Sequence, residues 1–322
     1  MTILNGSKEC SLVTRNGKST GGWHTVLASL GGELTLAPRA GNIVPTKGED
    51  RIMKRILTVL AFGACALAGG PALAQAPEIT LTRLACGADR APADVNERFS
   101  DTWSYNNLKL PFVFSCYVIK HGNEYLLWDT GFGMDTPTAA KMSVVDQLAQ
   151  LNIKPDQIKY VGISHYHADH TGQVSSFPGA TLLIGKGDWN GITSTPPAPG
   201  ANVAPFKHWI SDGGNVEPQP GDKDVFGDGT VMMLYTPGHT PGHHSLMVKL
   251  PQTGVVILSG DFVHFHENYD TDGVPGFNSD RAQTVASIER IKKIVANFKA
   301  KLIIQHDERD VSKLPAFPMA AK

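Results

Sequence analysis

The sequence predicts an α+β fold in which two β-sheets stack face to face under a cover of helices. Three observations predict it: nine short strand-like runs, two stretches of helical periodicity set among them, and a span of 248 residues after an amino-terminal leader. That span has no internal repeats or low-complexity tracts and is long enough for one sizeable core.

The first strand is expected over 79–84, where Ile79, Leu81 and Leu84 are interleaved with Thr80, Thr82 and Arg83. Strands at 112–120 and 124–128 flank His121-Gly122-Asn123, a hairpin turn. A helix follows at 143–151. The runs 160–163 and 181–184 are short and apolar, as buried strands are. Strands at 230–235, 245–249 and 255–258 come next, the last two joined by a turn through Gln252-Thr253-Gly254. A long helix over 280–300 places Val285, Ile288, Ile291, Val295 and Phe298 on one face, and the strand 301–304 closes the pattern.

Four of these strands run into residues that carry metal-binding lone pairs. The run 160–163 leads into His165-Tyr166-His167-Ala168-Asp169-His170, which puts four such side chains in six residues. Alternate side chains of an extended segment share a face, so His165 and His167 can reach one ion, while Asp169 and His170, past the bend, face another. His239 follows 230–235 in the turn-rich Thr236-Pro237-Gly238-His239-Thr240-Pro241-Gly242; Asp261 follows 255–258, and His306 follows 301–304. Each of the three alone reads equally as a cap, a turn residue or a surface histidine. Together with the first cluster they read as a two-metal site at strand ends, where loops build sites. The donors are imidazoles and carboxylates without thiolate, which suits two Zn2+ and also admits Co, Mn or Fe.

These motifs, with Trp128-Asp129-Thr130-Gly131, Ser259-Gly260-Asp261 and Gln305-His306-Asp307, resemble those of the metallo-β-lactamase superfamily. Within it they are similar to the periplasmic N-acyl-homoserine lactonases, over roughly 79–318. The resemblance implies a four-layer αββα sandwich. It implies that His165, His167 and His239 hold one ion, that Asp169, His170 and His306 hold the second, and that Asp261 bridges them. It also implies a hydrolase that opens a lactone ring (quorum quenching) with a metal-bridging hydroxide, Asp169 orienting that hydroxide and passing on its proton. Aspartate at 261 favours a lactonase over a β-lactamase, which typically has Cys or Ser there. The alternatives are a β-lactamase, a broader ester, thioester or phosphotriester hydrolase, and a non-catalytic metal-binding interaction module.

One position departs from the family. Lactonases often carry a tyrosine three residues after the bridging aspartate, aimed at the substrate carbonyl, and this chain has His264. His264 is a catalytic candidate because an imidazole also donates a hydrogen bond; the other reading is local packing. Asp129 either accepts from a ligand histidine as outer-shell support or caps the following turn. His243 and His244 are expected in structural roles and His208 in a loop or at a pocket rim. The loop with Pro196, Pro197, Pro199 and Gly200 is expected to border the site. Trp103, Tyr105, Phe132, Phe265 and Phe277 line an acyl pocket or belong to the core.

The amino terminus carries a different signal. Met53-Lys54-Arg55 is a basic start, 56–69 is apolar without charge, and Ala72-Leu73-Ala74 is a small-residue cleavage site. The expected division is therefore a non-native upstream extension at 1–52, a signal peptide at 53–74 cleaved near Ala74, and a metallo-hydrolase domain at 75–322. The mature protein is then periplasmic or secreted, without stable membrane insertion. Eight of the 29 Lys and Arg and four of the 30 Asp and Glu lie in 1–74, which leaves 21 against 26, a formal charge of −5. With no basic patch to track phosphates, nucleic acid is excluded as a partner and a small-molecule substrate is expected. Cys86 and Cys116 remain after cleavage, as a disulfide in an oxidising compartment or as two buried thiols.

Overall fold

The computed structural model describes residues 76–322, so the readings placed on 1–52 and 53–74 lie outside the described residues. Its strands are β1 (Ile79–Ala88), β2 (Ala93–Asp94), β3 (Lys109–Leu110), β4 (Val113–His121), β5 (Glu124–Trp128), β6 (Ile158–Ile163) and β7 (Thr181–Gly185). They continue with β8 (Val216–Gln219), β9 (Lys223–Asp224), β10 (Val231–Tyr235), β11 (His244–Leu250), β12 (Gly254–Leu258) and β13 (Lys301–Ile303). Two large sheets have the orders β1-β4-β5-β6-β7-β8 and β13-β12-β11-β10-β9, and β2 pairs with β3 in a two-stranded third. From β5 to β8 the first sheet is parallel, as are β12 and β13 in the second; the remaining pairs of the two sheets are antiparallel.

Strand alternation sorts the apolar side chains into three cores. Tyr117, Ile119, Leu126 and Trp128 point between the sheets and meet Met233, Leu246, Val248 and Leu258 from the other side. Their neighbours Val118 and Leu127 point outward, into a cluster that includes Val144 and Leu148 of helix α1 (Val144–Gln150). Met247 and Ile257 point outward from the second sheet onto Ile288 and Ile291 of helix α2 (Arg281–Phe298). Helix, sheet, sheet and helix are thus four layers, and because both faces of each sheet are covered, the central strands read as near-continuous apolar runs. Among the described residues no helix is long and apolar enough to cross a membrane.

Packing between the sheets is tight at one glycine. A Cβ on Gly162 would lie 2.7 Å from the Trp128 ring, and that ring is fully buried. Gly162→Ala is expected to cost about 1–3 kcal/mol of stability through overpacking, read as a lowered denaturation midpoint.

Two readings of the elements need correction. The long helix buries only the middle of the stripe from Val285 to Phe298: Ile288 and Ile291 are buried with Thr284 and Ser287 beside them, Val295 is partly buried, and Phe298 is 49% exposed. The face is rotated because its polar members dock on the loops below it, Ser287 Oγ donating to the Pro237 carbonyl at 2.8 Å and Thr284 Oγ1 accepting from Asn278 Nδ2 at 2.9 Å. Strand β8 was not expected, since it contains Pro218; it lies at the sheet edge, where a missing N–H is tolerated. Of the aromatic residues left open between acyl pocket and core, Tyr105 and Phe265 are buried in the core, and the Tyr105 hydroxyl donates to the Glu267 carbonyl at 3.0 Å, a brace between loops.

Cys86 and Cys116 form a disulfide across β1 and β4, with Cα atoms 5.8 Å apart. Neither is a free thiol.

Candidate metal centre

Five strand ends supply the site. After β5, Asp129 adopts φ +59°, a left-handed conformation that short polar side chains tolerate, and its carboxylate turns inward. Asp129 Oδ1 accepts from the Ser164 N–H at 2.7 Å, and Oδ2 accepts from His170 Nδ1 and from Gln305 Nε2, each at 2.9 Å. After β6 come His165 and His167; Asp169 and His170 lie on the short helix α3 (Ala168–Thr171) that follows. His239 follows β10, Asp261 follows β12 and His306 follows β13.

The seven expected ligands converge in two groups, each with its donor atoms within 4.8 Å of one another: His165, His167 and His239, and Asp169, His170, Asp261 and His306. In the first group His167 Nδ1 lies 2.8 Å from His165 Nε2 and 3.0 Å from His239 Nε2. Asp261 reaches both groups. Its Oδ1 is 2.9 Å from His306 Nε2 and 3.2 Å from His170 Nε2, and its Oδ2 is 3.6 Å from His239 Nε2 and 3.8 Å from His165 Nε2.

Several of the converging nitrogens carry lone pairs because the far side of each ring is already committed. His239 Nδ1 donates to Asn278 Oδ1 at 2.9 Å, His170 Nδ1 to Asp129, and His306 Nδ1 to the Val113 carbonyl at 2.8 Å. With a ring neutral, its Nε2 is then a lone pair turned toward the converging set. Imidazole with carboxylate is the donor set of zinc and its neighbours. The residues present therefore fit a pair of divalent ions.

His264 is buried beside this set. Its Nε2 is 3.1 Å from Asp261 Oδ2, its ring lies 4.6 Å from that of Phe99, and its Nδ1 has no hydrogen-bond partner. His264, His239 and Asp261 form a third convergent group, from which His165 and His167 are absent. His243 supports Asp261 from behind, its Nε2 accepting the Asp261 N–H at 2.7 Å and its Nδ1 lying 3.0 Å from the Thr236 carbonyl. Burial holds its pKa down to about 3, so the ring stays neutral and the acceptor stays available.

Charge divides the two groups. Burial, and then the neighbouring His170, hold His165 well below its ordinary value, and burial does the same to His239. His170 resists burial and lies well above its ordinary value because Asp261, Asp169 and Asp129 surround it; His306 is raised, against burial, chiefly by Asp261. In the metal-free protein the first group is thus shifted toward neutral rings, whereas His170 and His306 are shifted toward the protonated form, from which a cation must displace a proton. Affinity of the second group is expected to rise as pH climbs through the raised values, with proton release visible in calorimetry as a heat that varies with buffer ionisation enthalpy. The first group should show no such dependence in that range.

Other expected residues take distinct places. A Cβ on Gly200 would lie 3.0 Å from His167 Nε2, so the proline-rich loop borders the first group. Phe277 is half exposed with its ring 5.7 Å from that of His239 and 5.9 Å from that of His264; Phe132 packs edge-on against Phe114, and Trp103 is exposed. His208 stacks edge-on against Trp209, and His244 lies between the carbonyls of Gly242 and Gly221. Asn278, Gln305 and Asp188 escaped the sequence reading. Their partners are distant in sequence, and the only local signal was the place of Gln305 beside His306.

Asp129→Asn leaves the side chain's volume but presents an N–H2 group to donors. A tenfold to hundredfold loss of metal affinity at the second group is expected, on the order seen for outer-shell partners, measured by chelator competition.

A sequence profile described as the metallo-beta-lactamase superfamily matches residues 111–298. The N-acyl homoserine lactonase AttM of Rhizobium radiobacter is 32% identical over 178 residues, 51% of this chain and 63% of that protein. The AttM of Rhizobium johnstonii is 30% identical over 231 residues, 62% of this chain and 82% of that protein. The chain thus spans less than two thirds of the first of these relatives. Among solved structures, a quorum-quenching N-acyl homoserine lactone lactonase superposes with a TM-score of 0.64 at 25% identity, over 76% of this chain and 98% of that one.

Proposed function

Since the chain belongs to the metallo-beta-lactamase superfamily, we propose that it is a dinuclear metal-dependent hydrolase that opens the lactone ring of N-acyl-homoserine lactones. The observation that carries this reading is the reach of Asp261 into both donor groups, which makes one carboxylate the link between two cation sites. Lactonase relatives 30% and 32% identical supply the substrate class. Two bound divalent ions, zinc by preference, would lower the pKa of water to near neutrality and stabilise developing negative charge on the ring carbonyl.

The chain's own residues then have separable tasks. Asp169 Oδ2 lies 3.4 Å from His170 Nε2 and 3.6 Å from His306 Nε2, and its side chain is partly exposed, so its second oxygen is free to orient water and carry away a proton. His264 Nε2–H donates to Asp261 Oδ2 and is the one donor its neutral ring has, so it serves a substrate carbonyl by sharing that hydrogen with the carboxylate. His264→Phe is expected to lower kcat roughly tenfold to hundredfold, the value of one charged or strongly polarised hydrogen bond, without changing metal content. Unchanged turnover at every pH would assign His264 to packing alone.

The Cys86–Cys116 disulfide supports a periplasmic or secreted location, since such bonds persist in oxidising compartments. The function is tested by a hydrolysis panel of N-acyl-homoserine lactones, β-lactams, thioesters and phosphotriesters, with and without chelator. Chelator-sensitive lactone opening is expected; turnover of β-lactams with inert lactones would overturn the substrate, and inactivity on all four with metals bound would favour a binding module.

A further inference from the structure

Asp188 is fully buried on the helix α4 (Lys186–Thr193) that follows β7, and none of the site chemistry above uses it. Its Oδ2 accepts from the Tyr166 N–H at 3.1 Å and from the Thr240 hydroxyl at 2.8 Å, and its Oδ1 accepts from the Gly242 N–H at 2.6 Å. Tyr166 stands between His165 and His167; Thr240 follows His239 directly. One side chain therefore grips both loops that carry the first donor group.

The surroundings are built around this grip. A Cβ on Gly242 would come within 2.8 Å of Asp188 Oδ1, and a Cβ on Gly187 would lie 2.7 Å from the Pro241 carbonyl group, so the helix start and the His239 turn meet without room for side chains. Burial pushes the Asp188 carboxyl up to about 7 while its three donors pull it down, and no basic side chain is among the groups acting on it. A buried carboxylate with three donors and no protein cation is costly for stability alone, which is a reason to look for a role beyond packing.

We propose that Asp188 is the positioning residue of the first metal subsite, setting the separation between the His165–His167 loop and the His239 loop. The inference rests on the reading of those three histidines as ligands of one ion. Outer-shell anchors act this way by holding ligands at coordination distance before the ion arrives, so that binding does not have to order two loops.

Asp188→Asn tests it, because the amide keeps the volume but sets an N–H2 group against either the Gly242 N–H or the Tyr166 and Thr240 donors. Stepwise zinc affinities, measured on the purified full chain by chelator competition alongside circular dichroism, are expected to show one binding step weakened roughly tenfold to hundredfold and the other unchanged. Two steps of wild-type affinity in a folded variant would overturn the proposal, as would equal weakening of both, which a general loss of structure produces. Should the asparagine variant not fold, Thr240→Val decides: it removes one of the three donors, and one step weakened about threefold to tenfold supports the proposal, whereas no change overturns it. Wild-type protein that binds no zinc would instead overturn the metal reading itself, a result visible before any variant is compared.

Discussion

Asp261→Ala is expected to reduce lactone hydrolysis by at least about a thousandfold, or roughly 4 kcal/mol of transition-state stabilisation, and to lower the metal content of the protein from two ions toward none. The size follows from geometry. The carboxylate is the one side chain whose two oxygens face the two donor groups, one toward His306 and His170 and the other toward His239 and His165. Its removal takes a ligand from each group and the negative charge that lies nearest to both. It also removes one of the carboxylates that raise His170. The fold should survive, because the local backbone is anchored independently: the Asp261 N–H donates to His243 and the Gly260 N–H to Gln305 Oε1 at 2.8 Å. Metal analysis, turnover and a thermal melt on the same sample check this. Two ions retained at wild-type affinity would refute the bridging role.

Replacing Cys86 and Cys116 together by serine is expected to cost on the order of 3–4 kcal/mol of stability, the loop-closure value for a cross-link between residues 30 apart. The consequence should extend to the site. A Cβ on Gly131 would lie 2.7 Å from Cys86 Cβ, so the turn that follows Asp129 is packed directly on the bridge. Asp129 in turn orients His170 and holds the β6 end through Ser164. The loss is measured by denaturant unfolding of oxidised wild type against the double variant, with reduced wild type as a third sample. Reduction is expected to shift the midpoint toward that of the variant; a midpoint indifferent to reductant would show that the bridge contributes nothing.

The parts of the site that were legible in the sequence are those written locally. His165, His167, Asp169 and His170 share one strand end, and His239, Asp261 and His306 each follow an apolar run, so period and spacing alone place all seven at strand ends. Strands buried on both faces were likewise readable from runs such as Leu126-Leu127-Trp128, apolar whichever face they take, whereas the four-layer order came from the resemblance. Illegible were the contacts made between distant segments. Asp188 looks like any polar residue near a helix start until Gly242 and Tyr166 are brought against it. Asn278 becomes the partner of His239 only through the packing of α2 on the turn below, the same packing that rotates the helix and leaves Phe298 outside, near the Lys249 ammonium. Tyr105 reads equally as pocket lining or core, and what decides for the core is a contact between distant segments, its hydroxyl donating to the Glu267 carbonyl.

The central claim is that one chain holds two cations and that both are needed to open the ring. Chelated protein, titrated with zinc while hydrolysis of an N-acyl-homoserine lactone is followed, tests it in a single curve. Activity is expected to be absent in the stripped protein, to depend on the second equivalent, and to stop rising at two. Full activity without metal, or saturation at a single equivalent, would contradict the account.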